Sequence, residues 1–133
     1  MERELFFRGR QKGGKEWLEG DLSYLVHDKR ECYIFPPDGY DSPDNYEVDP
    51  ATVGQYVGRV IRGVKLFDGD LLRRDDGKVF RVAWSIFHLE WAAHSVGLFG
   101  VWNLHTVLSE GACEIVGNIW DNPELLEELR ALR

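Results

Sequence analysis

The chain has 133 residues, of which 44% are hydrophobic and 29% charged. That balance suits one or two small globular domains and excludes a disordered chain, a collagen-like fibre or a long repeat array. Lys and Arg number 16 against 23 Asp and Glu, so the net charge is −7, which disfavours non-specific wrapping of a nucleic-acid backbone.

The 14 glycines and an aromatic fraction of 13% point to short strands joined by turns. A strand is expected from Arg3 to Arg8, then a turn over residues 9–14 with Gly13-Gly14 at its tip. Trp17 to Val26 reads as the next extended run, broken at Gly20-Asp21 by a bulge or bend. Cys32 to Phe35 is a strand closed by Pro36-Pro37. Residues 36–50 hold Pro36, Pro37, Pro43 and Pro50 with Asp38, Asp41, Asp44 and Asp49, and read as an acidic connector. It divides an N-terminal β unit, residues 1–48, from a C-terminal unit, residues 49–133, and the two are expected to pack together.

The second unit opens with extended runs at Val53 to Val57 and Val64 to Leu72, the latter interrupted by Gly69. Asp75-Asp76-Gly77-Lys78 has the composition of a hairpin turn, because Gly accepts positive φ. Period-two patterns make Val79 to Trp84 and Ile86 to Trp91 strands. Val101 to Leu108 and Cys113 to Trp120 complete the strand set, with Ser109-Glu110-Gly111 as the turn between them. Asn122-Pro123-Glu124 then starts a short C-terminal helix whose apolar side is Leu125, Leu126, Leu129 and Leu132. Trp17 to Leu22 weakly echoes Leu66 to Leu71; both carry an acid-Gly-Asp element, read as two similar strand corners.

No reaction chemistry stands out. His27, His88, His94 and His105 form no HExxH or close Cys/His cluster; His88 and Glu90 share a strand face, which is a metal pair only in outline. Asp68 and Asp70 form a carboxylate pair if their strand stays extended. Ser85, Ser95 and Ser109 lack a nucleophile-elbow context, and no phosphate-binding glycine loop is present. Cys32 and Cys113 lie far apart among apolar residues and read as buried thiols. Tyr24, Tyr33, Tyr40, Tyr46 and Tyr56, with Trp17, serve either packing or recognition. Two basic clusters, Arg8, Arg10, Lys12 and Lys15, and Arg59, Arg62 and Lys65, would have to converge to bind nucleic acid. No apolar stretch is long enough for a membrane span or a signal segment, so a cytoplasmic protein is expected.

Three groups of motifs, taken in order, resemble the YopX family of phage and prophage proteins. The first is Leu5-Phe6-Phe7-Arg8-Gly9-Arg10 with Trp17 to Leu25. The second is Thr52 to Gly58 followed by Leu66-Phe67-Asp68-Gly69-Asp70-Leu71. The third is Glu114 to Leu126. Val57 stands where the family often has Thr, and the connection from Arg59 to Val64 is richer in Arg than usual. The resemblance implies a mainly β protein of two small packed units, the C-terminal one an SH3-like barrel. It implies no catalytic residues. Gly54, Gln55 and Tyr56, Asp68, Gly69 and Asp70, and Gly117 and Asn118 are the structural or interaction candidates. The expectation is therefore a phage accessory protein, non-enzymatic in preference, that binds a protein partner or itself. Cofactor, metal, small-molecule ligand and membrane are not expected. Nucleic-acid binding through Arg8, Arg10, Lys12, Arg59, Arg62 and Lys65 is the alternative, and a metal-assisted enzyme using Asp68, Asp70 or a histidine pair is a third.

Overall fold

The computed structural model describes residues 5–25, 28–39, 41–86, 88–97 and 100–126. Two compact units divide the chain, Met1–Gly58 and Arg59–Arg133. The first holds β1 (Phe7–Arg10), β2 (Trp17–Leu25), β3 (Asp28–Phe35) and the two-residue β4 (Glu47–Val48), and β5 (Gly54–Ile61) begins in it. The second holds β6 (Val64–Phe67), β7 (Asp70–Arg74), β8 (Val79–Ser85) and β9 (Glu90–Ser95), then β10 (Val101–Asn103), helix α1 (Leu104–Glu110) and β11 (Cys113–Asn118). One sheet has six strands in the order β4-β3-β2-β1-β5-β6; the other has five in the order β10-β9-β8-β7-β11.

In the N-terminal unit β2 changes partner along its length. Its first half, Trp17 to Gly20, pairs with β1, and Asp21 onward pairs with β3. Gly20 sits at this changeover inside a continuous strand, whereas Gly69 sits in a tight turn, so the acid-Gly-Asp echo does not mark two equivalent corners. Residues 36–50 are more than a connector. They carry a short 3-10 turn, Pro43–Tyr46, and β4, which pairs with β3. Val48 is fully buried with Cys32 and Ile34, and Phe7, Leu18, Leu22 and Val53 pack around that trio. An isolated bridge from Gln11 to Val48 curls the sheet without closing it. Thr52 locks the curl: its hydroxyl accepts from the Arg10 N–H at 2.8 Å and donates to the Asp49 carbonyl at 2.7 Å.

The C-terminal unit corrects the expected SH3-like barrel. Its sheet is open, with β10 and β11 as the outer strands. The physical reason lies in the segment read as one strand from Val101 to Leu108. The strand stops at Asn103, whose side-chain oxygen accepts from the Thr106 N–H at 3.2 Å as a helix N-cap. Leu104 and Val107 then bury on one helical side. Residues needed to extend the outer strand are thus spent on a helix. A second difference falls at Ile86 to Trp91: Ile86, His88 and Leu89 are turn residues, Leu89 adopts φ 52°, and β9 runs on through the buried Ala92 and Ala93. Alanine is a poor strand former, which hid the continuation. The hairpin at Asp75–Lys78 forms as expected, with Gly77 at φ 87° and the Arg74 N–H bonded to the Lys78 carbonyl at 2.9 Å. At the C-terminal end residues 123–126 are helical; Leu129 and Leu132 lie outside the described residues. No described helix is long and apolar enough to cross a membrane.

Ile34 is completely buried at the centre of the N-terminal cluster. Ile34→Ala should cost about 2–5 kcal/mol through lost transfer energy and a residual cavity, read as a lowered urea midpoint at an unchanged slope.

Candidate functional site

Most of the C-terminal motif residues meet in one corner. Gly69, at φ 91°, presents bare backbone to the Trp120 indole; a Cβ there would lie 2.5 Å from the ring Cη2. Its N–H donates to the Val82 carbonyl at 2.8 Å, and its carbonyl accepts from the Ile119 N–H at 3.0 Å. Asp70 is buried, and its Oδ2 accepts from the Phe67 N–H at 2.8 Å. Asn118 pairs with Asp70 across β7 and β11. Its Oδ1 accepts from the N–H groups of Trp120 at 3.0 Å and Asp121 at 2.8 Å, which turns the chain after β11. Gly117 leaves room for Asn122, whose Cγ would lie 2.6 Å from a Cβ. Gly69, Asp70, Gly117 and Asn118 therefore act together as a backbone lock, and Asp68 is the half-buried turn residue before Gly69. Gly54, Gln55 and Tyr56 lie elsewhere, in the N-terminal unit: Gly54 and Gln55 pair with Arg8 and Phe7. Tyr56 donates its N–H to the Phe6 carbonyl at 2.7 Å and sets its ring edge-on to Phe6.

The basic residues are largely engaged. The Arg8 guanidinium carbon lies 4.8 Å from the centre of the Trp17 ring. Lys12 pairs with Glu47 at 2.9 Å, and Arg10, Lys12 and Lys15 border an open groove of about 500 Å³ at the Gly13-Gly14 turn. In the other unit Arg62, at φ 50°, turns the chain between β5 and β6 and lies 3.9 Å from Glu114. Arg59 is exposed on β5, and Lys65 is half-buried on β6. His88 and His105 are exposed and His94 is half-buried on β9; His27 lies outside the described residues. Among the described residues no three His, Cys, Asp or Glu side chains gather closely enough to hold a metal ion. Cys32 and Cys113 are both buried, and burial raises the Cys113 thiol pKa.

Two features have no counterpart in the sequence pattern, because the strand-like start at Val101 masks the helical stretch. One is a cleft of about 360 Å³ beside α1, bordered by Arg74, Lys78, Phe80, Trp102, Thr106 and Glu110. Arg74 is nearly buried and lies over the Phe80 ring at 5.1 Å. Its Nε and Nη2 donate to Asp76 Oδ2 at 3.1 and 2.7 Å, and its Nη1 donates to Glu110 Oε2 at 3.1 Å. The guanidinium thereby fastens the β7–β8 hairpin to α1. The other feature is the outer strand β10, where Val101 and Trp102 are 53% and 52% exposed. The cue to both is the Asn103 cap followed by Leu104, Val107 and Leu108 at helical spacing.

A family model described as YopX protein matches residues 6–127. The chain belongs to the YopX family. It is a phage or prophage protein. No curated protein matches it. The YopX match spans both units and takes in the backbone lock, the cleft and β10.

Two outcomes test this geometry. Gly69→Ala in the YopX chain forces a Cβ into the Trp120 ring at a left-handed φ, and should cost more than about 2 kcal/mol in chemical denaturation; a loss under about 0.5 kcal/mol would mean that the ring is not seated there. The second concerns acid. The Arg74 hydrogen bonds, and then the Lys78 N–H, hold the Asp76 carboxyl below its ordinary value of 3.8. That contribution is fully present above the unfolded value and is lost as the pH falls through the folded one. Asp76→Asn should therefore flatten the fall of the urea midpoint between these two pH values.

Proposed function

We propose that this phage protein is a non-enzymatic module of the bacterial cytoplasm that binds an extended, basic segment of a protein partner along β10. The observation that carries this reading is the exposed Val101-Trp102 pair on an outer strand. Outer strands offer unpaired backbone groups and are normally blunted by charge, shortness or bulges. The other outer strands follow that rule. β4 has only two residues. β6 carries Lys65, and β11 carries the ion-paired Glu114 and a bulge between Ile115 and Gly117. β10 is short as well, with three residues, but it carries neither a charged side chain nor a bulge. Trp84, Ile86 and Leu89, on or after β8, which lies one strand away across β9, are also exposed. Strand addition supplies affinity through backbone hydrogen bonds, and alternate side chains supply selectivity.

The charge of −7 selects the kind of partner. Two copies of an acidic chain repel, whereas a basic segment is steered in. The basic groups of the nucleic-acid alternative are partly spent on Trp17, Glu47 and Glu114, so no observation favours it.

A partner recovered from the bacterial host by affinity capture should be purified and titrated calorimetrically. Val101→Lys should weaken saturable binding by at least about tenfold. Val64→Lys, at a similarly exposed position on β6, should leave it unchanged. Equal effects of the two substitutions would overturn the assignment to β10. So would dimerisation in sedimentation that Val101→Lys abolishes, because the occupant would then be a second copy.

A further inference from the structure

The cleft beside α1 contains an arginine whose neighbours do not exhaust it. A guanidinium has five N–H donors. For Arg74, Nε and one hydrogen on each Nη are taken by Asp76 and Glu110, so a second hydrogen on each Nη has no acceptor among the described residues. The side chain is only 9% exposed, and a guest that displaces water from the cleft can accept from the spare hydrogens in charge-assisted bonds. Arg74 lines a cavity whose volume, about 360 Å³, falls within the range of small-ligand sites. The remaining wall has a definite chemistry. Phe80 and Trp102 make it aromatic, and Lys78 places a second cation at the rim.

The geometry points to an aromatic carboxylate as the ligand of this cleft. Its ring would lie against the exposed Trp102 ring, while Phe80 backs the Arg74 guanidinium from below. Its carboxylate oxygens accept from the two remaining Arg74 hydrogens and from the Lys78 ammonium. Charge-assisted bonds of this kind to arginine are among the strong ones. Asp76 and Glu110 are 40% and 58% exposed, so water weakens their repulsion of the ligand, and Lys78 offsets part of the rest. Inorganic phosphate satisfies the cations but leaves the aromatic wall unused. The same carboxylate chemistry is offered by a free aromatic acid and by a peptide ending in tryptophan. This site shares Trp102 with the strand-addition edge of β10 but differs from it in needing the cavity, Arg74 and Lys78.

Titration of the full chain with indole-3-acetate, followed by amide NMR shifts, should saturate below about 10 mM. Shifts should concentrate in α1, β10 and the Asp75–Lys78 turn. Indole-3-acetamide, which has the same ring without the charge, should bind at least about fivefold more weakly. Lys78→Met, at an exposed turn position that does not carry the fold, should weaken the acid by about threefold or more and leave the amide unchanged. Ala-Ala-Trp with a free carboxyl is compared with its C-terminal amide. Tighter binding of the free peptide than of indole-3-acetate assigns the site to a chain end; weaker binding assigns it to a free acid. Equal affinity for acid and amide overturns the proposal. So does saturation by phosphate at the same concentration, or the absence of shifts at about 10 mM. None of these readouts moves if only the β10 partner assignment fails.

Discussion

The C-terminal unit depends on the seat of the Trp120 ring against the bare backbone of Gly69. That contact exists only because position 69 has no Cβ and turns at φ 91°. It anchors the end of β11, where Asn118 stands opposite Asp70. From there the ladder runs to Cys113 opposite Arg74. The bulge between Ile115 and Gly117 is absorbed on the way. The register set in the corner therefore decides where the Arg74 guanidinium emerges, and with it the cleft beside α1. A motif with no chemistry of its own places the one strongly buried cation of the described surface groups.

Arg74 and Arg73 are adjacent and have opposite roles. Arg73 reaches Glu114 at 2.6 Å, but both side chains are about half exposed. Hydration and side-chain entropy leave such a pair little net worth. Arg74 points to the other side of β7, where its charge is nearly out of water and held by two more exposed carboxylates. Loss of those partners would strand a buried charge, which is far more damaging than loss of a surface pair. Alternation along one strand thus separates a solvated ion pair from a structural one.

The sequence was legible where chemistry is local. The Asp75–Lys78 hairpin and the strand at Val79 to Trp84 follow from turn residues and period two, and Gly117 and Asn118 of the corner from the family resemblance. The family, too, was visible in ordered short motifs. The two-sheet topology was not. Val101 to Leu108 carries both a strand-like start and a helical spacing, and the Asn103 cap decides between them. Val48 sits in a stretch rich in proline and aspartate, yet tertiary packing makes it core. The cleft was invisible because Arg74, Phe80, Trp102 and Glu110 come from separate elements.

The return of β11 to β7 has a consequence in time. Hairpins β7–β8 and β8–β9 join neighbours in the chain and close short loops. β11 must wait until β8, β9, β10 and α1 have been threaded past before it reaches β7. Loop closure of that length is entropically slower. Until it is complete, Leu71 and Leu72 lie on an unprotected sheet margin during synthesis and refolding. The final strand is thus a kinetic gatekeeper, and a chain stalled before it would be the species most prone to aggregate.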